Sequence, residues 1–318
     1  MELSLSVNLH RELHFFYTGL YGTLAVGYTA PVNGGRMSDP TREEVAGYRQ
    51  FQAGWIHEKA QLGEGVELAP GAVVGPSVTV GDRCRIGENA VLKGSTVLGA
   101  GNVVHACAVI GGAPQDLSYR DEPTRLEIGD RNTFREGVTI NRGAPKGSGV
   151  TSIGSGNLFM AASHVAHDCV VEDDCVFANS VLLAGHCHVQ SNCTIAGNSA
   201  VAQFSTLGRY SFIGGLVGVR RDAEPFLRHD RRPDSISATP FSVNTVGLAR
   251  GGLSDEAIAS LKKAYMILFR KERGSPLDAQ CTLLEAEGLM TEEVRELVEF
   301  MRLKAASPSG RYLDTQRH

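Results

Sequence analysis

Four histidines crowd into a 25-residue stretch, His164, His167, His186 and His188, and a carboxylate, Asp168, follows His167 directly. An imidazole titrates near neutral pH and is the usual general base, and a carboxylate beside it fixes the tautomer and raises the basicity. Three imidazoles that converge on one point would instead bind zinc. His167 and His186 are 19 residues apart, too far for one helix face or one strand. The chemistry therefore depends on an architecture that folds this stretch back on itself.

That architecture is written as a period. An aliphatic residue or Phe stands at every sixth position from Leu62 to Ile110, from Ile128 to Ile140, and from Ile153 to Val219. The place after it is most often Gly or Ala, as in Val80-Gly81, Phe177-Ala178 and Ile213-Gly214. A period of six fits neither the helix nor the simple strand, so the chain must coil, as hexapeptide-repeat parallel β-helices do. With three hexads per turn, His167 and His186 lie one coil plus one residue apart and can face one groove. Two interruptions, at 111–127 and 141–152, must project from a corner of the coil, and such loops on a rigid scaffold concentrate binding residues.

The chain has 318 residues, so the repeat leaves room for a second domain. Residues 1–53 read as an N-terminal extension. Residues 1–36 show too weak an apolar core for a signal peptide and Met37 reads as a start, with a short helix expected over 38–52. Residues 54–224 are the β-helix, 225–252 a charge-mixed linker, 253–305 a helical C-terminal domain and 306–318 a tail. Ser254 and Thr291 are the expected N-caps, ahead of the stripes Ile258-Leu261-Tyr265 and Val294-Leu297-Met301. The net charge of −4 argues against nucleic acid, and no apolar run is long enough for a transmembrane segment. Of seven cysteines, Cys84, Cys169, Cys175, Cys187 and Cys193 share the fifth place of their hexads. They read as small core fillers, with no metal framework.

Ser163-His164-Val165-Ala166-His167-Asp168-Cys169 resembles the signature of the acyl-carrier-protein-dependent UDP-N-acetylglucosamine O-acyltransferases. So do Pro114-Gln115-Asp116-Leu117, Leu183-Ala184-Gly185-His186 and Ala238-Thr239-Pro240-Phe241. The likeness runs in order over residues 54–305. It implies an all-β left-handed parallel β-helix with a small α-helical C-terminal domain, assembled as a homotrimer whose active sites lie between subunits. It implies a cytoplasmic enzyme of lipid A biosynthesis that transfers an acyl chain, a 3-hydroxyacyl group, from acyl carrier protein to the 3-hydroxyl of UDP-N-acetylglucosamine. No cofactor is needed beyond the phosphopantetheine of the carrier.

Residue by residue, the resemblance makes His167 the general base, Asp168 its orienting partner and Gly185 the backbone N–H donor to the oxyanion. It makes Asp116, His164, His186 and Gln203 sugar contacts, Asn244 and Arg250 nucleotide contacts, and Gly215 the position that limits acyl length. Four positions depart from the pattern: Ala202 stands for a His, Ser118 for a Lys, Asn141 for a His and Val246 for a Glu. His188 and Arg209 are the neighbouring groups that could stand in. Two other classes compete: a related β-helix acyltransferase that uses acetyl-CoA or acts on a 3-amino sugar nucleotide, and a zinc enzyme of the carbonic-anhydrase type or an inactive paralogue.

Overall fold

The computed structural model describes residues 7–8, 12–19, 22–27, 48–231, 236–272 and 274–316. The chain divides into two compact units, Met1–Glu44 and Val45–His318. In the first, the strands Val7–Asn8, Glu12–Gly19 and Gly22–Gly27 form an antiparallel sheet where the sequence suggested no regular element. The helix expected over 38–52 is corrected in its described part: Tyr48–Phe51 is a strand, paired antiparallel with Gly54–His57. Residues 38–47 lie outside the described residues.

In the second unit the hexads wind into a left-handed parallel β-helix with three faces. Sheet A contains Val73–Val74, His164–Val165 and Leu182–Leu183, sheet B Val170–Val171 and His188–Val189, and sheet C Val176–Phe177 and Phe212–Ile213. Residues 18 apart are stacked, Val165 on Leu183 and Val171 on Val189. Every hexad-leading residue but Leu62 is buried, because the second residue of each short strand points inward. Fully burying each such side chain contributes roughly 1.5–3 kcal/mol. Phe134, Phe159 and Phe177 stack on one another at 5.1 and 4.7 Å between ring centres.

The corner cysteines do more than fill space. Along the inner edge between sheets B and C, the Asn102 and Asn132 side-chain oxygens accept from the backbone N–H of Asn132 and Asn157. Cys175 N–H continues this ladder to Asn157 Oδ1 at 2.8 Å. The Cys175 and Cys193 thiols then donate to the carbonyls of Gln190 and Gly208 at 3.2 and 3.1 Å. These bonds pair backbone groups along the buried corner, and the Gly208 carbonyl also accepts from Ser211 N–H at 3.0 Å.

Both open ends of the coil are closed. At the first, the Gln52 side chain accepts from Leu68 N–H and donates to Val66 C=O, occupying groups an edge would expose. At the other, the expected linker is ordered: Leu227–Arg231 and Ala238–Val243 extend sheet C as a hairpin, and a short helix α1, Thr245–Arg250, follows. Residues 232–235 of that segment are outside the description. Helices α2 (Asp255–Met266), α3 (Leu277–Ala286) and α4 (Glu292–Ala306) pack against the hairpin. Ser254 and Thr291 cap α2 and α4 as their spacing predicts. Lys304 of α4 ties the domain down, donating to Asp222 C=O at 2.6 Å and Glu224 Oε1 at 2.7 Å.

Candidate active site

One edge of the prism, between sheets A and B, carries most of the residues singled out by the sequence. Five successive coils meet there. The first two bulge outward: Leu98 pairs with Ile128, 30 residues on, and Ile128 with Ile153, 25 on, against the ordinary 18. These excursions, 113–124 and 142–149, leave sheet A after Gly112 and after Asn141 and rejoin sheet B at Arg125 and Val150. The next three coils turn the same corner tightly, through His167-Asp168, Gly185-His186 and Gln203-Phe204.

His167 is 8% exposed and Asp168 7%. Asp168 sits in the left-handed region at φ 59°, a corner conformation that Asp tolerates, and Thr151 Oγ1 accepts its backbone N–H at 2.9 Å. Its Oδ2 is 2.7 Å from His167 Nδ1 and accepts Ala144 N–H at 3.0 Å, while Oδ1 accepts Gly149 N–H at 2.9 Å. Ser148 Oγ lies 3.1 Å from Oδ1. Burial works against the charge, but the hydrogen bonds from His167 and Ala144, with the imidazoles of His186 and His167, hold the carboxyl below its usual range. Asp168 is therefore a carboxylate at neutral pH, which keeps the proton on His167 Nδ1 and leaves Nε2 as the basic atom.

That Nε2 edge faces Gly185. A Cβ built on Gly185 would lie 2.9 Å from Nε2 and 2.8 Å from Cε1. Only glycine leaves room for the ring there. The Gly185 N–H has no acceptor among the described residues, so it is available to a ligand.

The remaining corner residues surround the base. His186 meets His167 edge-on at 5.0 Å and stacks on Phe204 at 4.5 Å. His164 Nδ1 bonds Thr139 Oγ1 at 2.7 Å. Burial, opposed by the Thr139 bond and aided by His167, pushes the His164 pKa down, so it stays neutral at physiological pH. Asp116, on the first loop, is held below the usual carboxylate range by Ser118, whose N–H donates to Oδ1 at 2.8 Å, and its charge is felt by His167 and Lys146. Gln203 is exposed on the next coil.

The departures behave differently. Asn141 is buried, and its Oδ1 has no hydrogen-bond partner among the described residues. Neither suggested stand-in is free. His188 points from sheet B and its Nε2 is bound to Glu172 at 2.7 Å. Arg209 bonds Glu296 of α4 at 2.7 Å and lies over the Phe226 ring, so it anchors the helical domain.

Three expected residues lie away from this edge. Gly215 is exposed at the corner between sheets C and A. Asn244 and Arg250 line a cavity of about 590 Å³ on sheet C, with Arg228 and Lys262 adding positive charge and Val246 on its wall. The Asn244 side chain is occupied there: Oδ1 accepts Gly247 N–H and Nδ2 donates to Tyr210 C=O at 2.8 Å, capping α1. Sheet C is the face opposite the A–B edge, so one protomer cannot bring Arg250 to His167.

His167, Asp168 and His186 bring ligand atoms within 4.8 Å of one another, close enough for a metal ion, but both Asp168 oxygens are engaged by His167 and the second loop. The third imidazole, His164, is bound to Thr139.

The donors that hold Asp168 escaped the sequence reading because two are backbone N–H groups in a loop of irregular path. The available signal was the glycine content of 143–149.

Comparisons with known proteins agree with this architecture. Residues 59–94 match the bacterial transferase hexapeptide model and 224–310 the second domain of UDP N-acetylglucosamine O-acyltransferase. An acyl-[acyl-carrier-protein]–UDP-N-acetylglucosamine O-acyltransferase of Anaeromyxobacter sp. (strain Fw109-5) is 47% identical over 204 residues, 64% of this chain and 77% of that protein. The solved UDP-N-acetylglucosamine acyltransferase of Bacteroides fragilis 9343 is 35% identical with a TM-score of 0.74, covering 80% of this chain and 96% of its own. The Arabidopsis enzyme of that name is 30% identical with a TM-score of 0.68, covering 81% and 97%.

Proposed function

The chain belongs to the acyl-[acyl-carrier-protein]–UDP-N-acetylglucosamine O-acyltransferases, and we propose that His167, Asp168 and Gly185 are its catalytic residues. It is an acyltransferase that moves an acyl chain from acyl carrier protein to the 3-hydroxyl of UDP-N-acetylglucosamine, the first step of lipid A biosynthesis. The 3-amino, acetyl-CoA and zinc alternatives are not favoured.

His167 Nε2 takes the proton of the sugar 3-hydroxyl as the oxygen attacks the thioester carbonyl, and Asp168 stabilises the imidazolium that forms. The negative charge that develops on the carbonyl oxygen meets the Gly185 N–H. Collapse breaks the C–S bond, and His167 returns the proton to the leaving thiolate. The observation that carries this reading is the His167 ring wedged between Asp168 Oδ2 and the Gly185 backbone. The chemistry needs a base, an oxyanion donor and a proton for the thiolate, so we assign no cofactor beyond the phosphopantetheine on the carrier.

Asp116, His164, His186 and Gln203 are assigned to the sugar, since all share the edge with His167. Asn244 and Arg250 are assigned to the nucleotide, Arg250 through its charge and Asn244 through the shape of the cavity wall. Because that cavity faces away from the A–B edge, the assignment requires a neighbouring protomer to supply it, which supports a homotrimer. A monomeric mass by light scattering at micromolar concentration would exclude that assembly. Among the described residues no helix is long and apolar enough to cross a membrane. A cytoplasmic location goes with two substrates drawn from cytosolic pools.

The direct test is mass spectrometry of the products formed when UDP-N-acetylglucosamine and its 3-amino analogue compete for a mixed pool of acyl carrier proteins with acetyl-CoA present. A 3-O-acyl product supports the reading; no product, or preference for a 3-amino acceptor or acetyl-CoA, overturns it. The same assay tests Gly215. A Cβ there would meet nothing nearer than Gly197 O at 3.4 Å, so Gly215→Met can be built without strain and should fill the end of the acyl groove. Each methylene lost from burial is worth about 0.8 kcal/mol, so the product pool should shift to shorter chains. An unchanged distribution would place the end of the groove elsewhere.

A further inference from the structure

The two loops that break the coil are joined by one side chain. Arg142 opens the second loop, but its guanidinium lies inside the first. Nη1 donates to Gly111 C=O and Nη2 to the Tyr119 hydroxyl, both at 2.8 Å, and the group sits 5.9 Å from the Tyr119 ring centre. Tyr119 is itself a tie-point: its hydroxyl donates to Glu122 C=O at 2.9 Å, and its N–H closes on Asp116 C=O at 3.0 Å. The Arg142 side chain packs over Gly94, where a Cβ would come within 2.4 Å of Nη1. A few residues further along, Ala144 and Gly149 donate to Asp168.

We propose that Arg142 is a positioning residue, which holds the Asp116 loop in register with the loop that clamps Asp168. Acceptor contact and general base thereby share one frame, although they come from different coils. The inference rests on the assignment of Asp116 to the sugar and His167 as base. A planar guanidinium suits the task because it spans a carbonyl and a hydroxyl at fixed angles, which a lysine ammonium cannot reproduce.

The test is Arg142→Met, Tyr119→Phe and their combination in the full chain. Arg142→Met should raise KM for UDP-N-acetylglucosamine by about ten- to a hundredfold, the range a lost charge-assisted hydrogen bond spans. KM for the acyl carrier protein substrate should stay put. Tyr119→Phe should move the same constant less, and add almost nothing on top of Arg142→Met. Hydrogen exchange on the free protein gives a second readout that needs no turnover: both variants should speed amide exchange across 113–124 with the coil amides unchanged. If the wild type makes no acyl sugar, the functional reading fails while this exchange result still stands or falls alone. The proposal is overturned if both KM values rise together, if the two substitutions multiply, or if exchange rises throughout the coils or not in this loop.

Discussion

Replacing His167 with Ala should lower kcat by about 10²–10⁴ while leaving nucleotide-sugar binding nearly intact. Binding survives because the truncation leaves its neighbours in place. Asp168 keeps the backbone donors of Ala144 and Gly149, and His186 remains stacked on Phe204. Neither neighbour is a ready substitute: the hydrogen bonds and neighbouring imidazoles of Asp168 outweigh burial and hold it below the usual carboxylate range, and His164 is pushed down chiefly by burial. Single-turnover rates would check the loss. A variant that keeps more than a tenth of wild-type kcat would move the role of base to another residue.

The coil was legible in the sequence because its rule is local and repeated. Each inward position must be aliphatic or Phe, so the register of 62–219 follows from residue type alone. The pairing of His167 with Asp168 was legible for the same reason, since adjacency at a corner needs no long-range contact. What could not be read was the use of the corner by other coils. The donors to Asp168 come from 144–149, about 20 residues earlier, and two of them are backbone groups that no side-chain pattern advertises. Likewise, the strands Leu227–Arg231 and Ala238–Val243 looked like a charged linker because the charges over 220–234 are mixed, although Leu227 and His229 alternate inward with Arg228 outward. Arg228 covers the rings of Phe212 and Phe241 instead of facing solvent alone. At the other end, residues 48–57 lack the sixfold rule, and Gln52, at φ 53°, turns them into a hairpin that ends the coil. The resemblance located Asn244 by motif, but only packing reveals that its side chain is committed to α1.

Gly185→Ala should cut kcat by about 10²-fold or more, although the new residue keeps the backbone N–H assigned to the oxyanion. The backbone there is not in the left-handed region, so alanine adopts it without strain. The conflict is with the imidazole, whose Cε1, Nε2 and Nδ1 would lie 2.8, 2.9 and 3.2 Å from the added methyl. Something must move, and the coils cannot. Their spacing is fixed by Ala184 N–H to Val201 C=O at 3.1 Å and His186 N–H to His167 C=O at 3.0 Å, repeated at every coil. The ring is the softer element, and it can yield only by tilting away from Asp168 Oδ2 and out of line with the acceptor hydroxyl. A displacement of about 1 Å at a reacting atom is enough for a loss of that size. The variant should therefore fold with its thermal transition nearly unchanged, bind nucleotide sugar, and lose the low-field proton resonance of the His167–Asp168 hydrogen bond. Retention of that resonance with full activity would mean that the ring does not occupy this place during turnover. Loss of activity with the resonance intact would put the defect at the oxyanion, where the methyl crowds the incoming thioester instead of the base.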